Sequence, residues 1–213
     1  SAKFINTSAQ KGLVPMDNLD LESLKVILST GSVLIEEDFD YVYQKVKTDV
    51  QLSSISGGTD IVGCFALGNP IEPVKRGYLQ SISLGYNVQS YDEKQQPVFA
   101  QKGELVCVAP FPSMPVFFWD DETKEKYEAS YFSTYQNIWH HSDFIEIRPS
   151  GSVKVYGRSD ATLNRGGVRI GSSEIYQVVD QMDYVADSLV VHLDQDDKMI
   201  LFVQIAEVYF NDE

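Results

Sequence analysis

Hydrophobic positions in the first third of the chain recur at two periods. Phe39, Val42, Tyr43 and Val46 fall at helical spacing and predict an amphipathic helix. Upstream, Asp17 to Thr30 reads as helix-like around Leu21 and Leu24. It runs into the apolar segment Val26-Ile27-Leu28 and the small-residue turn Ser29-Thr30-Gly31-Ser32. Val50, Leu52, Ser54 and Ser56 alternate with other residues into Gly57-Gly58, which predicts a strand and a sharp turn. Helix, strand and glycine turn in succession predict an α/β layer, whose ligands gather at the carboxyl ends of its strands.

The pattern changes near Asn69-Pro70 and stays strand-like to about Tyr156. Tyr86 to Tyr91 and Val98 to Ala100 flank a polar turn, Asp92 to Pro97. Leu105 to Val108 is a short apolar strand. Phe144 to Ile147 and Val153 to Tyr156 flank Arg148 to Ser152, a good hairpin. A third section follows Gly157-Arg158-Ser159-Asp160. There Ser172 or Ser173 can cap a helix with Ile175, Val178, Val179 and Met182 on its buried face. Leu189 to Leu193 and Met199 to Ile205 then form a hairpin. The expected fold class is α/β plus β. It comprises a partial parallel α/β subdomain over 1–68, an antiparallel barrel-like β subdomain over 69–158, a hinge at 159–160 and the start of a small α+β domain over 161–213.

Composition narrows the function classes. A 43% hydrophobic, 12% aromatic chain has ample material for a core, which excludes wholesale disorder. Its 17 basic and 31 acidic residues give a net charge of −14, with no basic stripe for nucleic acid. No apolar run approaches the roughly 20 residues that span a bilayer, so no membrane partner is expected. No signal-peptide pattern opens the chain, and Cys64 and Cys107 lie in apolar runs as small buried hydrophobes. A reducing, cytoplasmic setting is the expectation.

Three segments carry candidate chemistry. In Ser56-Gly57-Gly58-Thr59-Asp60 the glycines admit a ligand close to the backbone, Thr59 can bond a phosphate oxygen, and Asp60 can hold Mg²⁺; an ordinary glycine turn is the plainer reading. In Trp139-His140-His141-Ser142-Asp143 the adjacent histidines invite a zinc site. Neighbours on an extended chain face opposite ways, however, and only one other histidine, His192, exists. Asp143 can accept bonds from two ribose hydroxyls, or simply cap a turn. In the run Gly157 to Tyr176, Arg158 and Arg169 flank the glycine pair Gly166-Gly167 and can bracket an anion; a linker with surface arginines is the alternative.

In this order and at this spacing, the three segments resemble the adenylate-forming superfamily of acyl-CoA synthetases, luciferases and peptide-synthetase adenylation domains. Ile27 to Ser32 and Gly103 to Cys107 add to the likeness, which covers essentially the whole chain. The resemblance implies activation of a carboxylate by ATP to an acyl-adenylate, then transfer to CoA. It implies that Gly31, Ser32 and Val33 lie against adenine. Gly58 and Thr59 would meet the α-phosphate, and Asp60 would position Mg²⁺. Asp143 would take the ribose hydroxyls with Arg158 beside it. Asp160 would be the hinge, Gly166 and Gly167 would meet CoA, and Arg169 would stand near the phosphates. Thr59 and Arg169 are the implied catalytic pair. Related acetyl-CoA synthetases close the acyl pocket with a Trp two residues before the Thr. Gly57 holds that place here, so a longer acyl group such as acetoacetate is expected to fit.

The superfamily's lysine-bearing phosphate loop and its C-terminal catalytic lysine have no counterpart in these 213 residues. The chain alone is therefore expected not to catalyse adenylation, and to self-associate through exposed sheet edges. Two other functions compete: a non-catalytic nucleotide-binding module of the same ancestry, and a β-rich interaction domain.

Overall fold

The structure is a computed structural model that describes residues 1–165, 168–193 and 198–207. The chain divides into two compact units, Ser1–Val155 and Tyr156–Glu213.

The first unit opens with α1 (Ala2–Gln10), capped by Ser1, whose hydroxyl accepts from the Phe4 amide at 3.4 Å. Its single turn α2 (Pro15–Asn18) begins on proline, which lacks the N–H a first helical position leaves unpaired anyway. The helix-like reading of Asp17 to Thr30 ends there. The Lys47 ammonium explains why: it donates to the carbonyls of Leu21 (2.7 Å), Glu22 (3.1 Å) and Leu24 (2.8 Å), holding that segment irregular. Next come β1 (Val26–Ser29), α3 (Glu36–Tyr41), a π-helical turn over Val42–Val46, and β2 (Gln51–Ser54). Strands β1 and β2 pair in parallel, Ile27 opposite Leu52 and Ser29 opposite Ser54. Ala2, Ile5, Leu34, Phe39, Val42, Val50 and Leu52 form an aliphatic cluster between the helices and this pair.

Strands β3 (Ser56–Gly58), β4 (Gly63–Leu67) and β5 (Ser81–Ile82) form a three-stranded antiparallel sheet. The order β6 (Val88–Tyr91), β7 (Gly103–Cys107), β8 (Trp139–Ile147), β9 (Val153–Arg158) makes a four-stranded one. The predicted turns are present: Asp92 Oδ1 accepts from the Lys94 and Gln96 amides, and the Arg148 amide donates to the Ser152 carbonyl at 2.9 Å.

Two expectations for this region are corrected. The stretch is not strand-like throughout, because α4 (Glu125–Tyr131) interrupts it. The buried Asp121 carboxylate caps that helix, accepting from the Lys126 amide at 3.1 Å and the Tyr127 amide at 2.9 Å. Nor is the subdomain a barrel: among the described residues both sheets are open. Strand β5 is two residues long, too short to carry a ladder around, and only the isolated Leu79–Val153 bridge reaches from its approach to β9. The core is strongly aromatic. Phe65, Phe111, Tyr127 and Trp139 pack with Ile61, Leu105, Ile145 and Val153.

In the second unit β10 (Thr162–Arg165) and β11 (Val168–Gly171) pair antiparallel, as do β12 (Val185–Leu193) and β13 (Lys198–Ile205). Between them lies α5 (Ser172–Val179), whose N-cap is Gly171 with no side-chain capping bond, rather than either serine. Val179 is buried as expected, but Val178 is exposed. Tyr176 takes its place, its hydroxyl accepting from the Val190 amide at 3.1 Å, because positions 175, 176 and 179 share the helix face turned to β12. The tip of the terminal hairpin, 194–197, lies outside the described residues.

Candidate functional site

The first candidate segment is a tight strand-turn-strand. Its two glycines let β3 approach its neighbours closely. A Cβ on Gly57 would stand 2.1 Å from the Gly63 carbonyl oxygen and 2.7 Å from Cys64 Cα; one on Gly58 would stand 3.2 Å from His141 Cε1. The bare Gly57 is thus required by backbone packing in this structure, and a tryptophan there would push β4 away. Thr59 and Asp60 follow at the exposed tip, where the Val62 amide donates to the Thr59 carbonyl at 3.2 Å. Val62 is 85% exposed and has φ of +46°, a left-handed conformation disfavoured for a β-branched residue. Strain of that kind collects beside binding sites.

The second segment is the entry of β8, and it is bulged. Val106 pairs with His140 and Glu104 with Phe144, so two steps on β7 face four on β8. Ser142 stands inside the bulge at φ +58°. Trp139, His141, Asp143 and Ile145 all turn to the buried side, while His140 turns the other way and meets Glu104 Oε2 at 3.0 Å. The two histidines therefore serve different neighbourhoods. Among the described residues no group of three or more His, Cys, Asp or Glu is arranged to hold a metal.

The two segments, about eighty residues apart, meet through Trp139 and His141 of the second segment and through Tyr131, which lies in neither. Asp60 Oδ2 accepts the Tyr131 hydroxyl. The Tyr131 ring stacks on Trp139 with centroids 3.6 Å apart and planes 16° from parallel. Trp139 Nε1–H donates to His141 Nδ1 at 3.5 Å, and His141 Nε2 lies 3.8 Å from Asp143 Oδ2. A row of neighbouring side chains thus leads from one carboxylate toward the other, Asp60 exposed at its outer end and Asp143 buried at its inner end, with its last step, at 3.8 Å, longer than a hydrogen bond. Tyr131 gave no signal in the sequence, being one tyrosine among twelve. His141 stands out in the sequence only as one of two adjacent histidines, and Trp139 only as the residue before them.

Gly31, at φ +89°, Ser32 and Val33 follow the carboxyl end of β1, beside Ser29, whose hydroxyl is buried without a partner among the described residues. Arg158 and Asp160 belong to the second unit and form a forked ion pair, Arg158 Nε donating to Asp160 Oδ1 at 2.8 Å. Arg169 lies on β11 opposite Asn164. Gly166 and Gly167 lie outside the described residues. Cys64 and Cys107 are free thiols, and burial pushes both up in pKa, so they remain protonated at neutral pH.

A mixed α/β layer continued by open antiparallel sheets is the fold of the acyl-CoA synthetase domain. An anthranilate CoA ligase, solved in complex with anthranoyl-AMP, superposes with a TM-score of 0.68 over 95% of this chain and 38% of its own; at 18% identity that likeness speaks for the fold alone. Acetoacetyl-CoA synthetases are among the proteins this chain is similar to. The Rhizobium meliloti protein is 51% identical over 208 residues, 97% of this chain. The Gallus gallus protein is 43% identical over 209 residues, 96% of it. The solved acetoacetyl-CoA synthetase from Streptomyces lividans, 37% identical, superposes with a TM-score of 0.85 over 97% of this chain. No family model matches. The chain spans about a third of the length of these relatives, 32% of the first and 31% of the second.

Proposed function

We propose that this chain is the nucleotide-facing segment of an acid–thiol ligase that activates acetoacetate with ATP and passes the acyl group to CoA. One observation carries the reading: the glycine turn bearing Thr59 and Asp60 packs against the strand bearing Asp143, Gly58 lying against the His141 ring. An oxygen-rich, partly exposed rim of this kind suits a nucleoside monophosphate. Gly58 and Thr59 would meet the α-phosphate, Asp143 the ribose hydroxyls, and Gly31, Ser32 and Val33 the adenine. Asp60 would supply one carboxylate to Mg²⁺, which ordinarily takes its other ligands from phosphate and water. The ion would offset charge developing on the phosphoryl group, and Arg158 and Arg169 would act as cationic clamps.

The finer organisation is proposed on the same basis: a partial α/β subdomain over 1–68, a β subdomain over 69–158, a hinge at 159–160 centred on Asp160, and a domain from 161 onward whose Gly166 and Gly167 meet CoA. Gly57 would border the acyl end. Its packing against Gly63 is a competing reason for a glycine there, so the acyl preference is better tested by exchanging neighbouring side chains.

Calorimetric titration of the purified chain with AMP, with and without Mg²⁺, tests the reading. Saturable binding is expected, lost in Asp143→Ala and weakened about threefold to tenfold in Tyr131→Phe, which removes the hydrogen bond to Asp60 but keeps the stack on Trp139. An absence of binding, or binding indifferent to Asp143, overturns it. The same 213 residues are expected to show no ATP–pyrophosphate exchange dependent on acetoacetate.

A further inference from the structure

We propose that His141 is a positioning residue for Asp143, fixed by Trp139 in the tautomer whose proton sits on Nε2. The inference rests on the reading of Asp143 as a nucleotide carboxylate, but its structural half stands without it. An indole N–H can only donate. Trp139 Nε1 points to His141 Nδ1 at 3.5 Å, so Nδ1 is the accepting nitrogen and the neutral ring carries its proton on Nε2. That nitrogen faces Asp143 Oδ2 at 3.8 Å, where the N–H dipole acts on the carboxylate and a small swing of Asp143 closes a hydrogen bond.

The ring is gripped as well as polarised. Phe65 meets it edge to face with centroids 4.7 Å apart, the backbone of Gly58 lies against Cε1, and the His141 side chain is only 7% exposed. It cannot turn over, which would put Cδ2 in the place of Nδ1 and Cε1 in the place of Nε2, without displacing that packing. Strand alternation puts the imidazole and the carboxylate, two residues apart, on one buried face, with the bulged Ser142 between them. An imidazole with its second nitrogen tied is the usual device for aiming the first. His140 is the internal contrast: it faces away from Asp143 and is engaged by Glu104.

Nitrogen-detected NMR of the ¹⁵N-labelled chain at neutral pH decides the tautomer without any mutation. A proton on His141 Nε2 alone is expected; a proton on Nδ1, or on both nitrogens, overturns the proposal. Positioning is read from His141→Gln, whose amide reaches the place of Nε2 and donates there, and His141→Leu, which cannot donate. The Asp143 carboxyl-carbon resonance is expected to shift in the leucine variant and return in the glutamine one, and an unchanged resonance in both overturns positioning. AMP affinity is expected to fall about tenfold in His141→Leu and to stay within about threefold of the parent in His141→Gln. If the parent chain binds no AMP, the nucleotide reading fails while the spectra still decide the role of His141.

Discussion

The first unit holds two hydrophobic clusters built on opposite plans. Around Trp139 the core is aromatic, ringed by Phe65, Phe111, Tyr127, Tyr131 and Phe132, and its strands pair antiparallel. Between α1, α3 and the β1–β2 pair the core is aliphatic, and the sheet is only two parallel strands wide. Val26 and Leu28 on β1 are left 45% and 66% exposed. Parallel sheets are ordinarily covered on both faces and flanked on both edges. The antiparallel region is thus self-sufficient, whereas the parallel pair presents surface that a wider sheet would cover. The proposed site draws its rigidity from the first plan.

The contrast can be broken most forcefully at Trp139, 1% exposed at the centre of the aromatic cluster. Trp139→Ala is expected to cost about 3–5 kcal/mol, read as a lower urea midpoint, and to abolish the near-ultraviolet signal of the stacked rings. A loss below about 1 kcal/mol would mean that the two clusters differ less than their packing implies.

The second measurement concerns the aliphatic cluster and is pH-dependent. Asp38 is buried at the start of α3 and accepts from the Ile35 amide at 3.2 Å. Burial, aided by the neighbouring Glu37 charge, raises its pKa to about 6 against that amide bond. Between roughly pH 4 and 6 the folded chain therefore holds a proton that the unfolded chain has lost. Its contribution to stability falls as pH rises through that window. Asp38→Asn keeps the acceptor and removes the charge. It is expected to flatten this part of the profile and to add on the order of 2 kcal/mol at pH 8, measured as the difference between the two pH–stability curves. A parallel pair of curves would contradict the burial argument.

The smallest effect is expected at the β1 edge. Leu28→Glu should change stability by less than about 0.5 kcal/mol, since its side chain is mostly in water already, while reducing any self-association seen by light scattering. Association unaffected by the charge would move the proposed contact elsewhere.

What the sequence disclosed followed physical locality. Turns with their own chemistry, Asp92 to Pro97 and Arg148 to Ser152, were legible because a few adjacent residues determine them, although Val98 to Ala100 forms no strand after the first. The amphipathic stripe of Phe39, Val42, Tyr43 and Val46 was legible for the same reason, although its π-helical second half was not. Helix α1 escaped because its buried side is Ala2, Ile5 and Ser8, too small and polar to stand out. Helix α4 escaped because it packs through two tyrosine rings, Tyr127 and Tyr131, among charged and small residues, with its cap contributed by Asp121 outside the helix. At the candidate site the motif residues were readable, but the row of side chains between them was not. Tyr131, Trp139 and His141 acquire their roles from a stack and a bulge, which tertiary packing alone creates.

The surplus of β8 over β7 is two residues, four steps against two, and two is the repeat of a pleated strand. Inside and outside therefore resume in phase beyond it, which is how Trp139 and Ile145 reach the same interior from either end. Trimming one residue would invert every side chain on one flank, whereas trimming two would leave both flanks correctly facing and merely straighten the edge. An even change in the length of this strand thus keeps its facing, and an odd change inverts it.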